Sequence, residues 1–439
     1  MTYHISTARK ILYSTGNLGY TLPAFFLSSY LFIYYAPSQG VEILPSYLVG
    51  IAYLLGTLIQ AVANPFIGNW SDKSSSKLGR RKFFIISGLV PLLFFFFFIW
   101  IPIGRGLEGV AVLTLMLMGF NFFFAYVVAP YLALIPEIAD TSRDRVRLTT
   151  IMAYFSIAGL ILASLIPVIM FAEGESIQAI STVLTIIMLV VFLLVIYATR
   201  EKAQPSKLPA DYTIARAFVQ TFRNRTFNRY IIAYLFFQFG FYFIVSALAY
   251  IVEDLVFPNN PNYKDYIGLF TLLAVIFAVI FSPLLVRFTE RRGEKRSFIV
   301  FTFILGISFT LIFFLIFLPV NLRIYVLLAI MVLSGLGLTS YFILPNAIIS
   351  EIIDEDEEIT GYRREAMYFG VQGFLERIPS SLSGFVLGLW ITFIYSPSGN
   401  AVFIGLLGII AGLAVIATSL TFFAVPLKEH KVHSSLVHK

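Results

Sequence analysis

"NPFIGNWSDKSSSKLGRRKFFIISG", residues 64–88, decides how the chain must be read, because five basic residues and one aspartate sit between two segments that are otherwise almost wholly apolar. The composition supplies the setting. Of 439 residues, 59% are hydrophobic and 13% charged, and 46 are Phe, more than a water-soluble fold could keep off its surface. The chain is therefore read as bilayer-embedded, and crossing the hydrocarbon takes about 20 predominantly apolar residues per helix. Twelve apolar runs qualify, at roughly 11–36, 45–70, 83–104, 108–135, 148–172, 176–199, 229–254, 265–288, 298–319, 322–349, 367–395 and 401–425. The first is too long for the apolar core of a cleavable signal and is taken as a true span. The quoted stretch is then the loop between spans 2 and 3.

An even number of spans places both termini in one compartment, and positive loops indicate which. Of the 31 Lys and Arg, 27 fall at the amino terminus, in the loops after spans 2, 4, 6, 8 and 10, and in the tail. The opposite loops hold Arg105, Lys264 and Arg323, and Arg377 lies inside span 11. Both ends are therefore expected in the cytoplasm of a cell whose plasma membrane the chain crosses. The net charge of +7 follows from this topology, with a benefit from anionic lipid headgroups, and needs no nucleic acid. There are no cysteines, hence no disulfide and no thiolate chemistry.

The spans divide into two halves. Residues 200–228, with prolines and a basic second part resembling a short interfacial helix, read as a cytoplasmic linker between an amino-terminal half (1–199) and a carboxy-terminal half (229–426), followed by a tail (427–439). Three correspondences fall in register. "NPFIGNWSDKSSSKLGRRKFFI" after span 2 matches "SPLLVRFTERRGEKRSFIV" after span 8, "PYLALIPEIAD" (130–140) matches "PNAIISEIID" (345–354), and "AYFSIAG" (153–159) matches "MYFGVQG" (367–373). Similar helix ends need similar caps, but three matches in register favour a duplicated six-span unit. The expectation is an all-α membrane protein of twelve helices in two pseudo-symmetric halves, with a substrate site between them near mid-membrane.

The pattern Gly68-x3-Asp72-Lys73-x5-Gly79-Arg80-Arg81 resembles the signature loop of the major facilitator superfamily, in the longer-spaced form of its glycoside-pentoside-hexuronide symporters. In a gating loop of this kind Gly68 would allow close helix approach, and Asp72 at a helix end would pair with a nearby arginine and a neighbouring helix amino terminus. "LPNAIISEIIDEDEEITGYRREAMYFGVQGFLERI" (344–378), with its acidic turn and basic pair, and "IPEIADTSRDRVR" (135–147) are similar to that subfamily's segments around helices 10–11 and after helix 4. The resemblance covers both halves. It implies a secondary carrier for glycosides or related solutes working by alternating access, driven by protons or sodium and monomeric, with no cofactor.

At the positions that bind cation and sugar in the melibiose-permease branch, this sequence departs from its relatives. The two span 2 carboxylates are replaced by the amides Gln60 and Asn64, which offer oxygens but no charge, so sodium should bind weakly there. The span 1 and span 4 carboxylates fall on Thr21 and Val128, and the span 4 tryptophan on Leu132. Arg377 matches the helix 11 lysine.

Polar residues inside spans are costly and so become the candidates. On span 1, Asn17, Thr21 and Ser28 share a face; Gln60 and Asn64 stand four apart on span 2; span 4 offers Asn121; span 7 carries Tyr234, Gln238, Tyr242 and Ser246 at i,i+4 spacing. Any single amide could equally be a helix–helix tie. Glu376 and Arg377, with Gln372 one turn before, are the deep charges. Adjacent helical residues project about 100° apart and need not pair with each other. Glu376 is the candidate for a coupling proton and Arg377 for a substrate contact, with a structural ion pair as the alternative. Glu253 and Asp254, at the end of span 7, are expected to be solvated.

Other classes fit poorly. The histidines are His4, His430, His433 and His438, all in the tails, and no span holds a nucleophile–base pair or an acid cluster for a metal, so an enzyme is not expected. Nor is there a charge ring or filter of a channel. Three transport readings stay open: a glycoside carrier with proton symport, an uncoupled facilitator, and a carrier of a lysolipid or other amphiphile, the last suggested by the missing carboxylates and the 17% aromatic content.

Overall fold

The computed structural model describes residues 6–38, 41–74, 76–139, 142–199, 221–258, 260–361, 365–396 and 399–426, and these are helical with no strand among them. In chain order the helices are α1 (Thr7–Ser14), α2 (Gly16–Tyr35), α3 (Ser46–Lys73), α4 (Lys82–Phe98), α5 (Gly106–Ala133), α6 (Ile135–Ile138), α7 (Ser142–Ala172) and α8 (Ile177–Ala198), then α9 (Arg225–Tyr250), α10 (Lys264–Arg292), α11 (Glu294–Leu311), α12 (Val320–Thr360), α13 (Glu365–Leu375), α14 (Arg377–Trp390) and α15 (Ala401–Phe422). Single wider or tighter turns extend α9 (Ile251–Val256), α11 (Ile312–Phe317) and α14 (Ile391–Tyr395).

Among the described residues ten helices are long and apolar enough to cross a membrane. The expected spans 1 and 3 fall short of that measure for different reasons. α4 has 17 residues, strongly apolar after Lys82 but brief. α2 has 20, but Asn17, Thr21, Pro23, Ser28 and Ser29 dilute its hydropathy. A helix tolerates such dilution when protein rather than lipid surrounds it, and most of α2 is buried.

Ends follow local chemistry. Asn224, Ser176 and Asn400 accept backbone N–H groups of Phe227, Ala179 and Val402 and so start α9, α8 and α15. The acidic run 354–358, expected as a turn, instead continues α12 to Thr360. Carboxylates tolerate a helix exposed to water, and the stop comes only at Gly361, whose φ of +73° favours glycine.

Pairing of helices shows the internal repeat. In one half α3 packs on α5, α4 on α5 and α8, and α2 on α7 and α8; in the other α10 packs on α12, α11 on α12 and α15, and α9 on α14 and α15. Exchanging α2, α3, α4, α5, α7, α8 for α9, α10, α11, α12, α14, α15 maps one set onto the other. Contacts between halves obey the same exchange: α3 meets α14, α10 meets α7, and α2 meets α9.

The two faces of the bundle are closed to different extents. On the face away from the basic loops, Tyr250 donates to the Ala36 carbonyl at 2.7 Å, Tyr47 N–H to Thr392 Oγ1 at 3.0 Å, and Ser38 to the carboxylates of Glu253 and Asp254. Nearer mid-membrane, Thr57 reaches Ser381 at 2.7 Å and Thr271 reaches Ser164 at 3.2 Å. The described ties on the basic face stay within a half: Lys10 with Asp144, Arg80 and Arg81 with Glu137, and Lys295 with the Val425 carbonyl. There a Cβ added at Gly68, Gly370 or Gly373 would meet nothing within 4 Å. Among the described residues the hydrogen bonds between the halves thus lie on the far face and near mid-membrane.

Two expectations change here. Gly68 makes no close helix approach, since the space where its Cβ would stand is open. Glu253 and Asp254 are not solvated: Glu253 is 0% and Asp254 9% exposed, since the wide turn Ile251–Val256 tucks them against the other half. Within the gating loop, Gly79 takes φ +106°, which only glycine adopts readily, and Arg80 and Arg81 pair with Glu137 at 2.9 and 3.0 Å. The Asp72 side chain, residues 200–220 of the linker and residues 427–439 of the tail lie outside the described residues.

Candidate functional site

Span 11 is broken at its charged pair. Pro379 has no N–H to donate to the Leu375 carbonyl, and its ring crowds that carbonyl, which weakens the helix at this turn. α13 ends at Leu375, Glu376 sits in the turn with its N–H still bonded to Gln372, and Arg377 opens α14. The break alters the expected geometry. Instead of projecting apart, Glu376 Oε1 and Arg377 Nη2 come within 3.8 Å, each with about a quarter of its side chain exposed, in the interior between the halves.

Span 7 completes the carboxylate's surroundings. Tyr234 donates to Glu376 Oε2 at 3.1 Å and Gln238 Nε2 stands 3.5 Å from the same oxygen and 3.1 Å from the Tyr234 hydroxyl. Tyr230, one turn earlier, stacks on Tyr234 with ring centroids 5.7 Å apart and donates to Gln372 Oε1 at 3.2 Å. Tyr242, Tyr341 and Tyr53 stand within electrostatic reach of Arg377, and Tyr20 within reach of both charges. The site therefore draws on α2, α3, α9, α12, α13 and α14, from both halves.

Two polar atoms here are left over. Gln238 Oε1 and Arg377 Nε are buried without a hydrogen-bond partner. An acceptor and a charged donor, both buried and unused, are what a polyhydroxylated solute can satisfy. The surrounding phenols add ring faces and hydroxyls that both donate and accept.

The other amides sit differently. The Thr57–Ser381 bond sets the register of α3 on α14, and one turn toward the basic face from each partner brings Gln60 level with Arg377. Gln60 is buried and Asn64, a turn further, half-buried. Thr21 is half-buried on the inner side of α2 near Gly159 of α7. Asn17 spends both amide ends on protein, donating to Ser156 at 2.9 Å and accepting from Tyr131 at 2.9 Å. Asn121 donates to the Leu117 carbonyl at 2.8 Å within its own helix, and Ser28 likewise to Ala24 at 2.9 Å. Ser246 is buried.

Sequence reasoning missed Tyr20, Tyr53, Tyr230 and Tyr341. Tyr230 was within reach, as it extends the 234–238–242 series by one turn; the others carry no periodic signal among 24 tyrosines. No group of three or more metal-binding side chains occurs among the described residues.

Two helical bundles meeting around an interior polar site, shut on one face, define a membrane carrier of the major facilitator type. The chain belongs to the family described as MFS/sugar transport protein, whose pattern matches residues 12–427. It is similar to the isoprimeverose transporter of Lactiplantibacillus pentosus (22% identical, covering 98% of this chain and 91% of the relative) and to the glucuronide carrier protein homolog of Escherichia coli (26%, 89% and 85%). Among solved structures, nucleoside transporter NupG superposes with a TM-score of 0.69 at 14% identity over 96% of this chain and 99% of that one. A D-xylose-proton symporter gives 0.68 at 12% identity over 96% and 98%. These structures share the fold. The protein is a secondary transporter of the sugar-transport family and not an enzyme.

Proposed function

We propose that this carrier moves a glycoside across the plasma membrane together with a proton, as a monomer with both termini in the cytoplasm. The observation that carries the reading is the Glu376–Arg377 pair at the break in span 11. There a carboxyl held by Tyr234 and Gln238 sits beside a guanidinium whose Nε has no partner. Glu376 takes and releases the proton, and Arg377, Gln238, Tyr242 and Gln372 face the sugar. Protonation removes the negative partner of Arg377 and frees the guanidinium for substrate, which ties the two binding events together. Gln60 and Asn64 lack the charge a sodium site needs, which favours the proton over sodium. The sugar carriers among the relatives support the substrate class.

The test is uptake of labelled glycosides into proteoliposomes, with an inward proton gradient, with a sodium gradient and with neither. Accumulation driven by protons alone is expected, and Glu376→Gln should abolish accumulation while leaving exchange of substrate across the membrane. Accumulation that survives Glu376→Gln would remove the coupling role.

A further inference from the structure

The far face carries a second pair of acids that the proposed transport site does not use. The Ser38 hydroxyl oxygen lies 2.5 Å from Glu253 Oε2 and 2.6 Å from Asp254 Oδ2, and the Ser38 N–H donates to the same Glu253 oxygen at 3.1 Å. Ser38 belongs to one half and the two acids to the other. A serine hydroxyl has one proton to give. Two oxygen–oxygen contacts this short each need a proton between them. One is the hydroxyl's own, so the other has to reside on Glu253 or Asp254.

The neighbours reinforce this count. Tyr263, from the segment before α10, turns its phenol to Glu253, and Tyr395, in the last turn of span 11, turns its phenol to Asp254. Tyr250, one turn back on α9, is engaged with the Ala36 carbonyl, and Glu42, before α3, adds a further negative charge within electrostatic reach of Tyr250. As for cations, Arg323 at the start of α12 donates to the Leu255 and Leu318 carbonyls, each at 2.9 Å, and Lys264 lies over the Tyr263 ring at 5.8 Å. Two ionised carboxylates packed side by side at 0% and 9% exposure would repel each other.

We propose that Glu253, Asp254 and Ser38 form a proton-dependent latch on the outer face: a proton shared by the acids holds the halves together there, and its loss releases them. This makes the two acids positioning residues of the transport cycle. They act on which face is open and leave the sugar site untouched. The assignment of this face as outer rests on the orientation proposed above. The closed state binds one proton more than the open state, so raising external pH favours opening, by up to about tenfold per pH unit.

The chain has no cysteine, so a single reporter can be read cleanly. Ser46 is fully buried at the same interface, beside Tyr250, and Ser46→Cys changes one atom of its side chain. Labelling by a membrane-impermeant maleimide applied to intact cells, without substrate, is expected to speed up several-fold from external pH 6 to pH 8. Adding Glu253→Gln, or independently Asp254→Asn, supplies the missing hydrogen from an amide, and labelling should become slow at both pH values. Adding Ser38→Ala should make it fast at both, and adding Glu376→Gln should leave the pH slope in place. A flat profile for Ser46→Cys alone, or a slope that persists in both amide variants, would overturn the latch. A slope lost only with Glu376→Gln would overturn it too, and would assign the titration to the inner site; failure of proton-driven uptake with the slope intact would instead sink the coupling reading and leave the latch standing.

Discussion

Asn17 shows what decides whether a polar residue inside a membrane serves substrate or scaffold. On sequence it and Gln238 looked alike, each an amide on an inward-facing stripe. The difference is in partners: Asn17 has both amide ends occupied by Ser156 and Tyr131, while Gln238 keeps Oε1 buried and unused. Partner choice depends on which side chains arrive from helices over a hundred residues away, which no periodicity encodes. Asn17→Ala should therefore destabilise the fold, by about 1–3 kcal/mol for the lost buried bonds, lowering Tm in detergent while leaving substrate KM unchanged. A raised KM with unaltered Tm would instead return Asn17 to the binding site. Charged residues were easier to read, because a charge in a span is costly wherever its partners come from, and Glu376 and Arg377 stood out on that ground alone.

At the scale of elements, the apolar runs placed the helices well and their interruptions poorly. Length and hydropathy are local, whereas the break at Glu376 and the wide turn at Ile251–Val256 depend on how neighbouring helices pack. Pro379 was the available clue, but prolines inside α3, α4, α5, α7, α10 and α12 leave those helices continuous. Close approach between halves is similarly a matter of pairing. A Cβ on Gly50 of α3 would sit 3.3 Å from the Gly384 carbonyl oxygen and 3.2 Å from Phe385 Cα on α14, and one on Gly268 of α10 would come closer still to the Ser164 carbonyl oxygen of α7, the contact related by the repeat. Small residues here let the far face shut by backbone contact. Gly50→Val should wedge that face apart, and spin labels placed on α3 and α14 near it should show a longer distance population by electron–electron dipolar spectroscopy. An unchanged distance distribution would mean that these helices do not set the closure.

Across the whole molecule, the two-half architecture was the most legible property, because a duplicated unit repeats its loop chemistry and that chemistry is exposed in sequence. The matching pairs of helices in the two halves follow from it. What was not legible is which face is shut, since one sequence must support both conformations and the residues that close the far face, Ser38, Glu253 and Asp254, read as ordinary loop and helix-end polarity. Orientation stands between these two cases. The 27 basic residues of the termini and alternate loops are a strong topological signal. Two single-cysteine variants can do so. Arg105→Cys lies in an exposed loop of the far face, and Lys77→Cys in an exposed part of the basic loop between α3 and α4. In intact cells an impermeant maleimide should label Arg105→Cys and spare Lys77→Cys until the membrane is permeabilised. The reverse pattern would turn the carrier over. The latch would then answer to cytoplasmic rather than external pH, and the conformation described would be open to the outside.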